Sequence, residues 1–287
     1  MSTQSGHPEG EDFVGATVEQ PTPAAAVVPG RRRTGRRLVS WGAPAATVVA
    51  LLVLWHLATV IFDWPVWLVP TPFDVAQSLW DYRGLLPEQF WITFLETIAG
   101  FGLAVVIGIP VAVAIASSRL LERSIYPILL GLNAVPKIAI APILILWMGF
   151  GYAPKIVVSF LLCAFPIVIS TATGLKSTPA ELVELSRSLC ASRSSLFVRV
   201  RFPAAMPQIF VGLKVAISLA VIGAVIGEFV GSSGGLGWVI VNTNANLNTP
   251  LAFAAMVLLG VMSVGLFYAL VLLEKLFVPW AEHMQDD

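Results

Sequence analysis

The chain has 287 residues, 57% of them hydrophobic and 12% charged, with a formal net charge of zero and a mean hydropathy of +0.83. Soluble domains carry about 25% charged residues, so this composition points to lipid as the solvent and gives no global argument for binding nucleic acid. Three scattered histidines and two cysteines in unlike surroundings, Cys163 in an apolar run and Cys190 in an Arg-rich loop, argue against a metal centre or a disulfide.

Residues 1–40 are polar and rich in Pro, Ala, Gly and Glu, a composition that predicts a disordered tail. The first apolar run starts too late and runs too long for a cleavable signal peptide. Arg31, Arg32, Arg33, Arg36 and Arg37 cluster just before it.

Six apolar runs follow, at about 42–63, 91–117, 125–149, 156–175, 207–230 and 251–273. Each approaches or exceeds the ~20 residues that a helix needs to cross a bilayer core. They predict an all-α integral membrane protein with a six-span domain over 41–280, a long polar loop at 176–206 and a short tail at 281–287. With the N-terminus inside, the inner side collects the five N-terminal arginines, Arg119, Arg123, Lys176, Arg187, Arg193, Arg199, Arg201 and Lys275, against Arg83 and Lys155 outside. That asymmetry predicts cytoplasmic termini.

Between the first two runs, Thr71-Pro72 reads as a helix start, with Thr as N-cap and Pro at the first helical position. Phe73, Ala76, Leu79 and Trp80 then share a face, which predicts a short helix on the outer surface. The loop at 176–206 reads as two short helices. Thr178-Pro179-Ala180-Glu181 has the form of a capping box, and a second start falls at Ser192, its helix ending before Pro203. Leu182, Leu185, Ser186 and Leu189 share a face expected to pack on the membrane domain. Glu184, Arg187 and Ser188 share the other.

Glu184 to Pro203 also carries a spacing. It resembles the EAA signature of ABC-transporter permeases: E-A-A, three residues, G, nine residues, I, one residue, L-P. Glu184 stands at the E, Val200 at the I, Phe202 at the L and Pro203 at the P, while Leu185, Ser186 and Cys190 replace the alanines and the glycine. Ala134-Val-Pro136-Lys137 to Pro142, Leu146 to Gly149, and Glu228 to Gly237 resemble the nitrate, sulfonate, taurine and pyrimidine-precursor branch of that family. The resemblance implies the six-span type I importer permease fold, MetI-like, in a bacterial cell membrane, importing by alternating access a small solute: an organic or inorganic anion such as a sulfonate, nitrate or carboxylate, or a thiamine-pyrimidine precursor. It also implies a homodimer, two copies of a separate ABC ATPase and an extracytoplasmic substrate-binding protein. It assigns the contact with the ATPase to Glu184, Arg187, Cys190, Ala191, Ser192, Arg193, Leu196, Phe197 and Pro203. Cys190, at the glycine position, takes φ > 0 only at a cost, so the joint is expected to be stiffer or to turn without a left-handed residue.

Glu96, Pro136, Lys137, Pro142 and Glu228 are the candidates for the translocation pathway. Lys137 falls near the middle of a span, where charges face a cavity or a partner, and Pro136 and Pro142 loosen its helix. Lys137 is either a cationic site for an anion or the partner of Glu96. Glu228 falls near the outer end of its span, within reach of water, as gate or scaffold. The Gly-rich run from Gly231 to Gly237 has no P-loop lysine, and no catalytic residue or cofactor is called for. The alternative, a secondary transporter driven by an ion gradient, predicts internal repeats, and none is visible.

Overall fold

The structure is a computed structural model that describes residues 36–280, with side chains from residue 46. The expected tail over 1–35 and the segment 281–287 lie outside the described residues. The chain divides into two compact units, one up to Ala50 and one from Leu51. The second unit holds the long apolar helices.

Every regular element described is a helix. Helix α1 spans Arg36–Ile61, α2 Pro72–Asp81, α3 Leu86–Ser117, α4 Arg119–Ala134, α5 Lys137–Met148 and α6 Tyr152–Lys176. Helix α7 spans Ala180–Ser188, α8 Arg193–Leu196, α9 Phe202–Gly231, α10 Leu236–Ala245 and α11 Thr249–Phe277. A helix bonds its own backbone, which lipid requires of any spanning segment. Helices α3, α6 and α11, and the continuous helix Arg193–Gly231, are long and apolar enough to cross a membrane. The apolar run 125–149 is divided: α4 and α5 meet at a 90° bend. The bend sits at Val135 and Pro136, the C-cap of α4 and the N-cap of α5. Proline has no N–H to continue the ladder, and it biases the residue before it to extended backbone.

Helices α6 and α9 make the most extensive pairing, with α3 packed on α6. Lipid tails supply no hydrophobic drive between spanning helices, so small residues that let backbones approach must do so. A Cβ at Gly223 would lie 2.5 Å from the Ser159 Cα, and one at Gly227 would lie 2.9 Å from the Lys155 Cα. At that separation the Ser159 hydroxyl donates to the Ala220 carbonyl (3.0 Å) and the Cys163 thiol to the Ala216 carbonyl (3.3 Å). Ala104, Ile167, Ile217 and Ala220 fill the remaining core.

Helix α2 opens as Thr71-Pro72 implies. The Asp74 N–H donates to the Thr71 hydroxyl oxygen (3.2 Å) and the Thr71 N–H to the Asp74 carboxylate (2.9 Å), a reciprocal cap. Val75 and Ser78 are buried and Leu79 packs on the core, whereas Phe73, Ala76 and Trp80 are exposed, so most of the apolar face read from the sequence points away from the protein.

The loop departs from expectation at three points. Helix α7 takes Pro179 as its N-cap and has no side-chain cap. Thr178 stands one residue too early for a capping box, and its hydroxyl bonds back to the Leu175 carbonyl of α6 (3.5 Å). Leu182, Leu185 and Leu189 do not pack on the membrane domain: all three are exposed, Leu189 at 74%. The loop is anchored instead by Leu196 and Phe197, which pack into the bundle. Nor does the second helix end before Pro203. A π-helical turn, Phe197–Arg201, joins α8 to α9, with the Phe202 N–H bonded five residues back to the Phe197 carbonyl. The wider turn shifts the bonding register just where Pro203 lacks a donor.

Candidate functional site

Three places gather the functional side chains. The first is the joint between α7 and α8. Cys190 adopts the left-handed conformation, φ +57°, so the chain turns here through a left-handed residue although a cysteine occupies the position. Such a conformation costs a side chain about 1–2 kcal/mol. The Cys190 and Ala191 N–H groups close α7 onto the Arg187 and Ser186 carbonyls. Ser192, extended, then accepts from the Ser195 N–H (3.2 Å) and starts α8. Glu184, Arg187, Ala191 and Arg193 are exposed around this joint. Among the described residues Glu184 and Arg187 form no ion pair.

The second place is a buried charge cluster where α3, α6, α9 and α10 converge. Glu96 of α3 is ion-paired with Lys155 of α6. Lys155 also donates to the Ser232 hydroxyl (3.0 Å) and stands 5.0 Å from the centroid of the Tyr152 ring. Glu228 is 2% exposed. It does not reach water as its position near the end of the run implied. The Thr93 hydroxyl donates to one of its oxygens (2.6 Å) and the Gly237 N–H to the other (2.5 Å). The Leu236 N–H donates in turn to the Thr93 hydroxyl (2.8 Å), and the Gly235 N–H to the Gln89 side-chain oxygen (2.7 Å). The N-cap of α10 is Gly235, which has no side chain to cap with. Glu228, Thr93 and Gln89 supply the acceptors from neighbouring helices, and a carboxylate suits the positive end of α10. Gly235 has φ +104°, and a Cβ there would run into the Glu228 carboxylate.

The third place is the elbow between α4 and α5. The Lys137 ammonium donates to the Asn133 side-chain oxygen (2.8 Å) and to its carbonyl (3.2 Å). It does not meet Glu96, whose partner is Lys155, so of the two alternatives for Lys137 the pairing with Glu96 does not form. A cavity of about 250 Å³ beside the elbow is lined by Asn133, Lys137, Phe160, Phe165 and aliphatic neighbours. Pro136 forms the bend and Pro142 lies inside α5.

Sequence reasoning missed Lys155, Thr93, Gln89 and Ser232, and also Lys214, a second lysine inside an apolar run, paired with Glu274 at 2.8 Å. One signal was available. Gln89, Thr93, Glu96 and Thr97 recur at helical spacing along one stripe of an apolar helix, and all four are buried.

Residues 104–283 match the family described as "Binding-protein-dependent transport system inner membrane component". The chain belongs to this family. It is a permease component of a binding-protein-dependent ABC importer, a multi-pass membrane protein whose family works with an ATPase and a substrate-binding protein. It is 33% identical over 83% of its length to the formylaminopyrimidine transport permease protein ThiX of Halalkalibacterium halodurans, covering 95% of that protein. It is 34% identical over 82% of its length to the riboflavin transport system permease protein RibX of Chloroflexus aurantiacus, covering 88% of that protein. Among solved structures, the inward-facing MetNI methionine ABC transporter matches with a TM-score of 0.62 at 23% identity, covering 69% of this chain and 98% of that one. The last likeness bears on the fold: MetI-like, and all-helical. The family match takes in the elbow, the loop and α9 to α11 of the permease. The stripe on α3 that completes the charge cluster lies before it.

Proposed function

We propose that the permease imports a small planar heteroaromatic solute, driven by ATP hydrolysis in a separate subunit, with the α7–α8 loop as the coupling element. The exposed apolar stripe of Leu182, Leu185 and Leu189 beside exposed Glu184 and Arg187 supports the loop's role. An apolar stripe rimmed by charges, left exposed among the described residues, suits docking on a partner subunit. Leu196 and Phe197 tie that loop to α9, so a pull on the loop is carried into the bundle. Two permease copies, two ATPase subunits and an extracytoplasmic binding protein make the working assembly. It alternates between outward and inward access as the ATPases close and reset.

The observation that carries the solute class is the elbow cavity. Aromatic and aliphatic walls with one amide and one ammonium at the rim suit a flat ring bearing an acceptor group. The permeases for formylaminopyrimidine and riboflavin among the relatives carry heterocycles by name. The test is uptake in cells whose own importers are deleted and which express the whole assembly. Labelled formylaminopyrimidine should enter and labelled taurine should not. Uptake of taurine alone would give the anion reading of Lys137 precedence.

The asymmetry of lysine and arginine supports cytoplasmic termini, with 176–206 inside and 231–249 outside. A cysteine placed at Ser233 should react with an impermeant reagent added outside, and one at Ser194 should not. Reaction at Ser194 in intact cells would reverse the arrangement.

A further inference from the structure

On the face of the bundle that carries the α7–α8 loop lies a polar cavity of about 430 Å³. Its walls include Arg119 of α4, Lys176 at the end of α6, Arg201 of the π-helical turn and Glu122. Three cations thus meet one carboxylate. That carboxylate is engaged: Glu122 is ion-paired with Lys176 at 2.5 Å. Arg119 and Arg201 have no ion pair among the described residues. The Arg201 Nε is buried and has no hydrogen-bond acceptor among the described residues, an expensive condition for a charged donor. The Ser117 and Thr178 side chains complete the polar lining.

We infer that this cavity is a binding site for a phosphate group, held by Arg119 and Arg201. Two unpartnered guanidiniums match a phosphate better than a single carboxylate, because each can present a planar pair of donors to separate oxygens. The site lies where the apolar helices α3 and α6 end, the level at which phospholipid headgroups lie. Basic pockets between spanning helices bind such headgroups. The same chemistry would accept a free phosphate anion. Bound phosphate would bridge the α3–α4 corner to the turn that leads from the loop into α9. Its consequence for coupling rests on the proposed role of that loop, but the binding itself does not.

The test uses the purified full-length permease in bilayer nanodiscs. One arm compares its unfolding temperature in phosphatidylcholine with and without phosphatidylglycerol. A second arm adds inorganic phosphate to phosphatidylcholine discs, with sodium chloride at equal ionic strength as reference. A rise in the first arm alone identifies a lipid headgroup, and a rise in the second identifies free phosphate; either supports the site. Arg119→Gln with Arg201→Gln should weaken the interaction about tenfold or more, the scale of one lost charge-assisted pair. Arg123→Gln, outside the cavity, should leave it unchanged. Arg119→Gln alone, at an exposed position, keeps the test readable if the double variant fails to fold. The inference is overturned if neither ligand stabilises the wild type beyond chloride, or if the variants respond as the wild type does. It is overturned equally if both ligand arms are flat while the variants lose only ATPase co-purification, since the guanidiniums would then serve an acidic partner. Permease-only binding and ATPase coupling are separate readouts, so failure of the coupling proposal leaves this test intact.

Discussion

Lys155, in the first turn of α6, is ion-paired with Glu96 of α3, their side chains 6% and 0% exposed. A pair so deeply buried holds two helices in register, and each partner depends on the other. Breaking a buried pair from one side leaves an uncompensated charge, at a cost of about 3–5 kcal/mol.

Lys155→Met should therefore lower the yield and the unfolding temperature of the permease sharply, as should any change that leaves Glu96 ionised and alone. Lys155→Met combined with Glu96→Gln should recover much of the loss. Thermal unfolding in detergent measures both. A single variant as stable as the wild type would remove the pair from the scaffold.

Lys137→Met should behave differently. Among the described residues Lys137 bonds only Asn133, at the elbow, so its loss strands no described buried carboxylate. Expression and unfolding temperature should change little while uptake falls. Glu96→Gln should not rescue that uptake. Rescue would reinstate a link between the two that the geometry does not contain.

Cys190→Gly should stabilise the α7–α8 joint by about 1 kcal/mol, since glycine takes a left-handed conformation without steric cost. Hydrogen exchange across 186–195 should slow. Cys190→Val should do the opposite, because a β-branched residue is strained there. Equal exchange in all three proteins would mean the turn is not left-handed in solution.

Gly235→Ala should be among the most damaging single changes in the chain. It puts a side chain into a φ of +104° and against the Glu228 carboxylate, undoing the cap on α10. Backbone strain alone costs about 1–3 kcal/mol, before the displaced carboxylate is counted. The unfolding temperature reads the outcome; a neutral result would mean α10 is held by something other than this cap.

Glu184→Ala should leave the permease folded, since the side chain is exposed and forms no ion pair among the described residues. Solute-stimulated ATP hydrolysis in the reconstituted assembly should fall. Full stimulation would take Glu184 out of the stroke.

Period and spacing were enough to read the helical class, the apolar runs and the place of the loop, because a bilayer leaves the backbone few alternatives. The EAA spacing located the α7–α8 joint although several of its letters are changed. The elbow was half legible: Pro136 marked a weakness, but a proline can kink a span or break it, and only the packing of α4 and α5 decides between a kink and a 90° turn. Charge partners were not legible at all. Glu96 and Lys155 lie 59 positions apart in the sequence, and Lys137 stood nearer to Glu96 in number. Pairing is decided by which helix faces meet, and that followed from small residues. Gly227 lets the Lys155 backbone close on α9 and Gly223 does the same for Ser159, which sets α6 where its lysine reaches α3. The sequence by itself determined which segments are helical and which residues are too polar to face lipid. Only the tertiary structure decided which of those polar groups satisfy one another, because that depends on the distance between backbones that packing alone establishes.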